Sequence, residues 1–285
     1  MSEILKGKLV AQKIKDEIIQ KVSKLKEEGK FPTLAIIRLG NNPNDISYEK
    51  GIIKNCNSLD VKSIVFEREE SISTEDLIKL MDELNNDNNI SGILLFRPLP
   101  KHIDEEKVRN SINPRKDVDC MHPLNLEKVF EGNMKGFLPC TPLAAMNVLT
   151  YNEIPLEGKN VVVINRSMVV GKPLVMMLLE KNATVTICHS KTKDLDVITR
   201  NADVVITALG RPKLLTQNYF TNKSIVIDVG VSETEDGKLS GDVDFDNVVD
   251  VVDKITPVIG GVGSVTSTIL INQVVNACID MQNSK

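Results

Sequence analysis

An apolar β-branched run, Val161-Val162-Val163-Ile164, stops at the short polar turn Asn165-Arg166-Ser167 and restarts past Gly171 as Pro173-Leu174-Val175-Met176-Met177-Leu178-Leu179. A second apolar run covers residues 184–188. Short runs rich in β-branched residues and bounded by turns predict strands, and the longer apolar run between them predicts a helix, so the segment reads as a βαβ unit with parallel strands. The turn after the first strand of such a unit meets a helix N-terminus, whose amide groups and partial positive charge favour an anion. Arg166 in the turn and Ser190 just past the second strand add donors for a further phosphate. With no acidic residue at the end of that second strand, the combination favours NADP over NAD. The glycine pattern usual for such turns is incomplete: Asn165 and Ser167 stand where two glycines are expected. Because asparagine tolerates left-handed backbone, Asn165 reads as a glycine substitute. A plain βα loop is the alternative for this turn taken alone.

The same alternation runs along the chain. Residues 9–28 place Val10, Ile14, Ile18, Val22 and Leu25 at helical spacing and stop at Gly29. Strands are predicted over 34–39, 61–66 and 90–96, with helices over 47–57 and 73–85; the segment Gly40-Asn41-Asn42-Pro43 reads as a turn. Prolines 114, 123, 139 and 142 predict loop over 101–142, where the chain is expected to cross between domains. A helix from Ala144 leads to further strands at 161–164, 184–188, 204–208, 224–229 and 248–252, and a last apolar helix is predicted over 266–281. Strands alternating with helices imply parallel sheets. Such sheets bind ligands at the carboxyl ends of their strands, where Gly40, Arg97, Asn165, Gly210 and Gly230 fall.

A chain of 285 residues has room for two domains. A net charge of −4 offers no basic surface for nucleic acid or a membrane. No uninterrupted apolar span is read as a membrane crossing or an export signal, which predicts a cytoplasmic protein. Five scattered cysteines, Cys56, Cys120, Cys140, Cys188 and Cys278, form no Cys-x-x-Cys pair and predict reduced thiols. His102, His122 and His189 show no metal-ligand spacing, so no metal is expected.

Several motifs together resemble the methylenetetrahydrofolate dehydrogenase/cyclohydrolase family of the FolD type, in the family's order over nearly the whole chain. They are Gly92-Ile93-Leu94 leading into Pro98-Leu99-Pro100, Lys116-Asp117-Val118-Asp119, Pro139-Cys140-Thr141-Pro142, Val170-Gly171-Lys172-Pro173, Cys188-His189-Ser190-Lys191-Thr192, Ile227-Asp228-Val229-Gly230, Gly241-Asp242-Val243 and Thr256-Pro257-Val258 with Gly260-Gly261-Val262-Gly263. The resemblance implies a two-domain α/β protein, usually a homodimer, with a folate cleft between an amino-terminal α/β domain and a Rossmann-like dinucleotide-binding domain. Residues 1–140 would form the first domain, completed by a returning helix at 266–285, and residues 141–265 the second. It further implies NADP-dependent oxidation of methylenetetrahydrofolate to methenyltetrahydrofolate, followed by hydrolysis to formyltetrahydrofolate. By position, Tyr48 matches the tyrosine packed on the aminobenzoate ring and Asp119 the aspartate holding the pterin, with Asp117 its neighbouring control. Arg166 and Ser190 match donors to the 2′-phosphate. Asn165, Ser167, Val231, Gly263 and Thr266 match positions near the dinucleotide, and Pro257 and Gly260 positions beside the folate. A carboxylate suits the amide and amino donors of a pterin.

One departure bears on the chemistry. The family's catalytic lysine lies four residues after the tyrosine, one helical turn on; here that position is Ile52. Lys50 and Lys54 stand two and six residues after Tyr48, on other faces of a regular helix. The glutamine thought to tune that lysine is matched by Phe96. Hydride transfer is driven by the folate's own nitrogen lone pair and needs no general base, whereas hydrolysis gains roughly 10²- to 10⁴-fold from a positioned proton carrier. The sequence therefore predicts a dehydrogenase with weak or absent cyclohydrolase activity. The alternatives are a fully bifunctional enzyme, in which Lys54 or Arg97 reaches the site, and a non-catalytic NADP- or folate-binding regulator.

Overall fold

A computed structural model describes residues 2–234 and 237–281. Its elements run β1 (Glu3–Ile4), α1 (Gly7–Glu27), β2 (Thr33–Leu39), α2 (Pro43–Ser58), β3 (Lys62–Arg68), α3 (Thr74–Asn86), β4 (Gly92–Leu95), α4 (Glu105–Ser111), α5 (Pro123–Phe130) and α6 (Cys140–Tyr151). They continue β5 (Asn160–Ile164), α7 (Gly171–Leu179), β6 (Thr184–Cys188), α8 (Leu195–Arg200), β7 (Val204–Thr207), β8 (Ile225–Asp228), β9 (Ser232–Glu233), β10 (Leu239–Ser240), α9 (Phe245–Val248), β11 (Lys254–Ile255) and α10 (Val262–Asp280).

The chain divides into two compact units. One holds residues up to Gln12, Val129–Met134 and Pro139–Thr266; the other holds Lys13–Lys128, Lys135–Leu138 and the chain from Ser267 on. Divisions fall between Leu138 and Pro139 and, inside α10, between Thr266 and Ser267, within two residues of the limits expected at 140 and 266; the division inside α1 has no counterpart in the expected limits, and positions 1 and 282–285 lie outside the described residues. The opening residues join the later unit because β1 pairs in parallel with β11 and adds an edge strand to its sheet.

The unit holding β5 carries a parallel six-stranded sheet of order β1-β11-β8-β7-β5-β6. Chain order reverses at β5, whose neighbours are β6 and β7, so the ends of those three strands make the crevice where such sheets take ligands. Buried Val162, Ile164, Val205, Val226 and Ile255 fill the core beside it. The other unit has the parallel sheet β3-β2-β4. Its β2 is buried almost throughout, and Ala35, Ile37, Ile93 and Leu95 pack against Leu77, Met81 and Leu84 of α3.

Several predicted bounds differ, each for a local reason. Helix α2 begins at Pro43 rather than at residue 47, because Asn42 caps it, its side chain accepting from the Asn44 amide at 2.9 Å, and Pro43 supplies the preset first helical residue. The predicted loop over 101–142 contains α4, α5 and the start of α6. Pro123 opens α5 and Pro142 sits in the first turn of α6, where a missing N–H removes no helical bond. The strand predicted over 248–252 is replaced by α9 and a turn. Val248 and Val252, four residues apart, are both buried, which is helical spacing. By length and composition α10 is a span able to cross a membrane, contrary to the sequence reading, yet most of it is buried inside the protein.

Candidate active site

At the end of β5, Asn165 folds the turn through its side chain. Its Oδ1 accepts from the amides of Ser167 at 2.8 Å and Gly171 at 3.0 Å, while its Nδ2 donates to the Ala208 carbonyl beyond β7. Asn165 is absent from the positive-φ residues, so it does not act as a glycine substitute; the side chain does the shaping. The close-approach glycine is Gly171, where a Cβ would lie 2.1 Å from the Asn165 carbonyl oxygen. Ser167 Oγ accepts from the Val170 amide at 3.0 Å. Arg166 and Ser190 are exposed, and neither side chain has a hydrogen bond or ion pair among the described residues. Exposed donors at the ends of neighbouring parallel strands fit anionic phosphate groups.

Two buried carboxylates that the sequence reading left without a role tie the adjoining loops together. Asp242 accepts from Thr207 Oγ1 at 2.8 Å and from the amides of Leu209 and Arg211 at 2.6 and 2.8 Å. Asp228 accepts from the amides of Gly230 and Val243 at 3.0 and 2.9 Å. Burial pushes the Asp228 carboxyl up to about 7, with Asp242 adding to the rise and the backbone donors opposing it. Gly230 and Gly241 give these carboxylates room: a Cβ on either would lie 2.3 Å from the Asp242 carboxyl carbon or 2.1 Å from Asp228 Oδ2. The Asp242 contacts reach across more than thirty residues and the Asp228 contact to Val243 across fifteen, so neither leaves a local pattern, though acidic residues in apolar strand ends were a usable signal.

Of the other positions predicted in this unit, Val231 and Gly263 are exposed, while Thr266 is buried with its hydroxyl turned back to the Val262 carbonyl at 3.4 Å. Pro257 and Gly260 flank a tight turn with Gly260 at φ +77, and a Cβ on Gly261 would lie 1.9 Å from the Pro257 carbonyl oxygen.

In the other unit, α2 carries Tyr48, which is 45% exposed. The helix is anchored beside it, since Glu49 pairs with buried Arg38 of β2 at 2.8 Å. That pairing raises the Arg38 guanidinium above its ordinary range. Phe96 follows β4, donating its amide to the Ile37 carbonyl at 3.0 Å, and its ring meets that of Tyr48 with centroids 5.5 Å apart. Ile52 is 0% exposed, and Lys50 and Lys54 are exposed along an unbroken helix. The next residue after Phe96, Arg97, donates from Nη2 to Asp119 Oδ2 at 3.2 Å.

Asp119 lies in a loop held from beneath. Asp117, 1% exposed, accepts from the amides of Met121 and His122 at 2.9 Å each and from Asn125 Nδ2 at 2.8 Å. Burial raises its carboxyl above the ordinary range against these bonds. Asp117 is therefore a structural hub and not the silent control that its neighbouring position suggested. Lys116 donates to the Leu84 and Asp87 carbonyls at the end of α3, at 2.9 and 2.7 Å, and fixes the start of the same loop.

Residues 5–119 match the family described as tetrahydrofolate dehydrogenase/cyclohydrolase, catalytic domain, and residues 139–282 match its NAD(P)-binding domain. The chain belongs to the tetrahydrofolate dehydrogenase/cyclohydrolase family. A relative named bifunctional protein FolD, from Clostridium botulinum (strain Langeland / NCTC 10281 / Type F), is 56% identical over 277 residues, covering 97% of this chain and 98% of the relative. The solved structure of bifunctional FolD from Campylobacter jejuni is 42% identical with a TM-score of 0.95, covering 99% of this chain and 100% of that one. FolD from Trypanosoma brucei, solved with NADP cofactor and an inhibitor, is 30% identical with a TM-score of 0.94 and covers 99% of this chain and 98% of that one. This family member is thus a methylenetetrahydrofolate dehydrogenase/cyclohydrolase enzyme with a catalytic domain and a Rossmann-like NAD(P)-binding domain, which sets aside the non-catalytic regulator. The relatives lend no support to loss of the hydrolytic step; they favour the bifunctional alternative.

Proposed function

We propose that the chain catalyses both family steps: NADP-dependent oxidation of 5,10-methylenetetrahydrofolate to 5,10-methenyltetrahydrofolate, and hydrolysis of that product to 10-formyltetrahydrofolate. The full-length likeness to proteins named bifunctional FolD carries this reading. Tyr48 packs on the aminobenzoate ring and Asp119 accepts the pterin's donors. Pro257 and Gly260 border the folate. Arg166 and Ser190 hold the 2′-phosphate of NADP; Ser167, Val231, Gly263 and Thr266 border the dinucleotide, and Asn165 shapes its turn. When bound, NADP supplies the hydride acceptor. The folate nitrogen supplies the push, so the residues in the first step bind and orient. The same resemblance supports a cytoplasmic homodimer.

Hydrolysis adds water to the methenyl carbon and breaks that carbon's bond to N5; one proton from the water ends on N5, the other is released, and the formyl group stays on N10. Position 52 contributes no proton carrier, and a positioned one gives roughly 10²- to 10⁴-fold, so hydrolysis is the slower step. A second reading, dehydrogenase activity alone, is favoured by one observation: Ile52 is wholly buried in a regular helix. Decay of methenyltetrahydrofolate absorbance with and without enzyme separates the two. Decay above the buffer rate supports both steps, and decay at the buffer rate leaves the dehydrogenase alone. Oxidation of methylenetetrahydrofolate with each dinucleotide tests the first step and its cofactor.

A further inference from the structure

The Arg97–Asp119 pair is a poor device for stability. Its side chains are 17% and 26% exposed, and the contact is a single end-on bond at 3.2 Å. Partly exposed pairs of this kind contribute little to stability. Both partners are nonetheless held firmly. Phe96 is bonded to β2, which fixes the residue before Arg97, and Asp117 pins the loop that bears Asp119. Among the described residues Asp119 is the one hydrogen-bond partner of the Arg97 guanidinium. A guanidinium has five N–H donors in a planar fork, so several face outward beside the carboxylate.

Resting on the reading of Asp119 as the pterin anchor, we propose that Arg97 is a substrate-specificity residue that donates to the 4-oxo group of the pterin. The pterin edge reads amino donor, ring N–H donor, oxo acceptor. Asp119 offers two acceptor oxygens, and the one nearer Arg97 is Oδ2. Seating the ring N–H on that oxygen brings the oxo group beside the guanidinium. The pair then presents acceptor, acceptor, donor, complementary to the whole edge. A 4-amino group in place of the oxo group turns that last contact into donor against donor and also strips the ring nitrogen of its hydrogen, setting acceptor against acceptor at Asp119; such mismatches underlie strong rejection of analogues. The paired charges also leave the site close to neutral, so recognition rests on hydrogen-bond pattern.

The test measures dissociation constants of tetrahydrofolate and of 4-amino-4-deoxytetrahydrofolate by calorimetry on the whole chain. The variants are Arg97→Leu, Arg97→Lys and Asp119→Ala, with NADP affinity and thermal melting checking that each folds. Arg97→Leu is expected to weaken tetrahydrofolate roughly tenfold or more while changing the 4-amino analogue less than about threefold, so that discrimination narrows roughly tenfold and only the ring-nitrogen mismatch at Asp119 remains. Arg97→Lys, which keeps charge without the fork, is expected to lose part of the discrimination and keeps the test open if the leucine variant does not fold. Asp119→Ala is expected to weaken both ligands. Parallel weakening of both ligands by the Arg97 variants, or no change in either, overturns the role of Arg97 while leaving Asp119 standing. Normal binding of both by Asp119→Ala overturns the anchor reading and the inference with it.

Discussion

Tyr48 and Phe96 pack ring against ring, with centroids 5.5 Å apart and planes tilted by 39°. This contact places an aromatic residue where the family resemblance expects the glutamine that tunes a lysine, and the lysine position itself holds a buried isoleucine. An Ile52→Lys, Phe96→Gln double variant should hydrolyse methenyltetrahydrofolate at least about tenfold faster than wild type, because burial lowers the amine's pKa toward neutrality and makes it a usable proton carrier. Absorbance decay at matched enzyme concentration gives the comparison. A folded double variant no faster than wild type would sink the missing-carrier explanation.

Arg166 stands exposed at the end of β5 with its guanidinium open to a phosphate. Arg166→Ala should weaken NADP binding by about 1 kcal/mol, the low end for a charge-assisted contact because the site is solvated, and should leave NAD binding unchanged. Fluorescence titration with both dinucleotides checks this; equal losses for the two would assign Arg166 to another part of the cofactor.

Asp117 and Asp119 should separate cleanly by substitution. Asp119→Ala is expected to raise the folate Michaelis constant with little change in melting temperature. Asp117→Asn places an amide group against a cluster of N–H donors in a site 1% exposed and should cost about 1 to 3 kcal/mol of stability. Denaturant unfolding and steady-state kinetics on both variants measure the contrast, and a destabilised Asp119→Ala would make that residue a loop cap instead.

Asp228 should make stability depend on pH. Its folded carboxyl titrates near 7 because burial disfavours the charge, above the ordinary value of 3.8. The folded chain therefore holds a proton that the unfolded chain has released. The stabilisation is fully present below about pH 4 and is lost as pH rises toward 7. Asp228→Asn should flatten that part of the profile, whatever it does to stability overall. Unfolding free energies from pH 4.5 to 8 test the point, and an unchanged slope would show that Asp228 stays ionised.

The sequence alone was enough for the class of fold and the family. Runs of β-branched residues alternating with helical periodicity specify parallel strands and helices wherever they occur, and the motifs of the resemblance are local strings. The turn after β5, Arg166, Ser190, Tyr48, Ile52 and Phe96 were all legible for that reason. Prolines misled at α5 and α6, because a proline opening a helix and one breaking it look alike until the backbone hydrogen bonds are traced. Tertiary structure alone decided that β1 pairs with β11, that Asn165 works through its side chain, and that Asp242 and Asp228 cross-tie loops far apart in the chain. It also decided that Arg97 meets Asp119 across twenty-two residues. Hydrogen bonds between distant residues follow from where strand ends converge, and no spacing along the chain records that convergence.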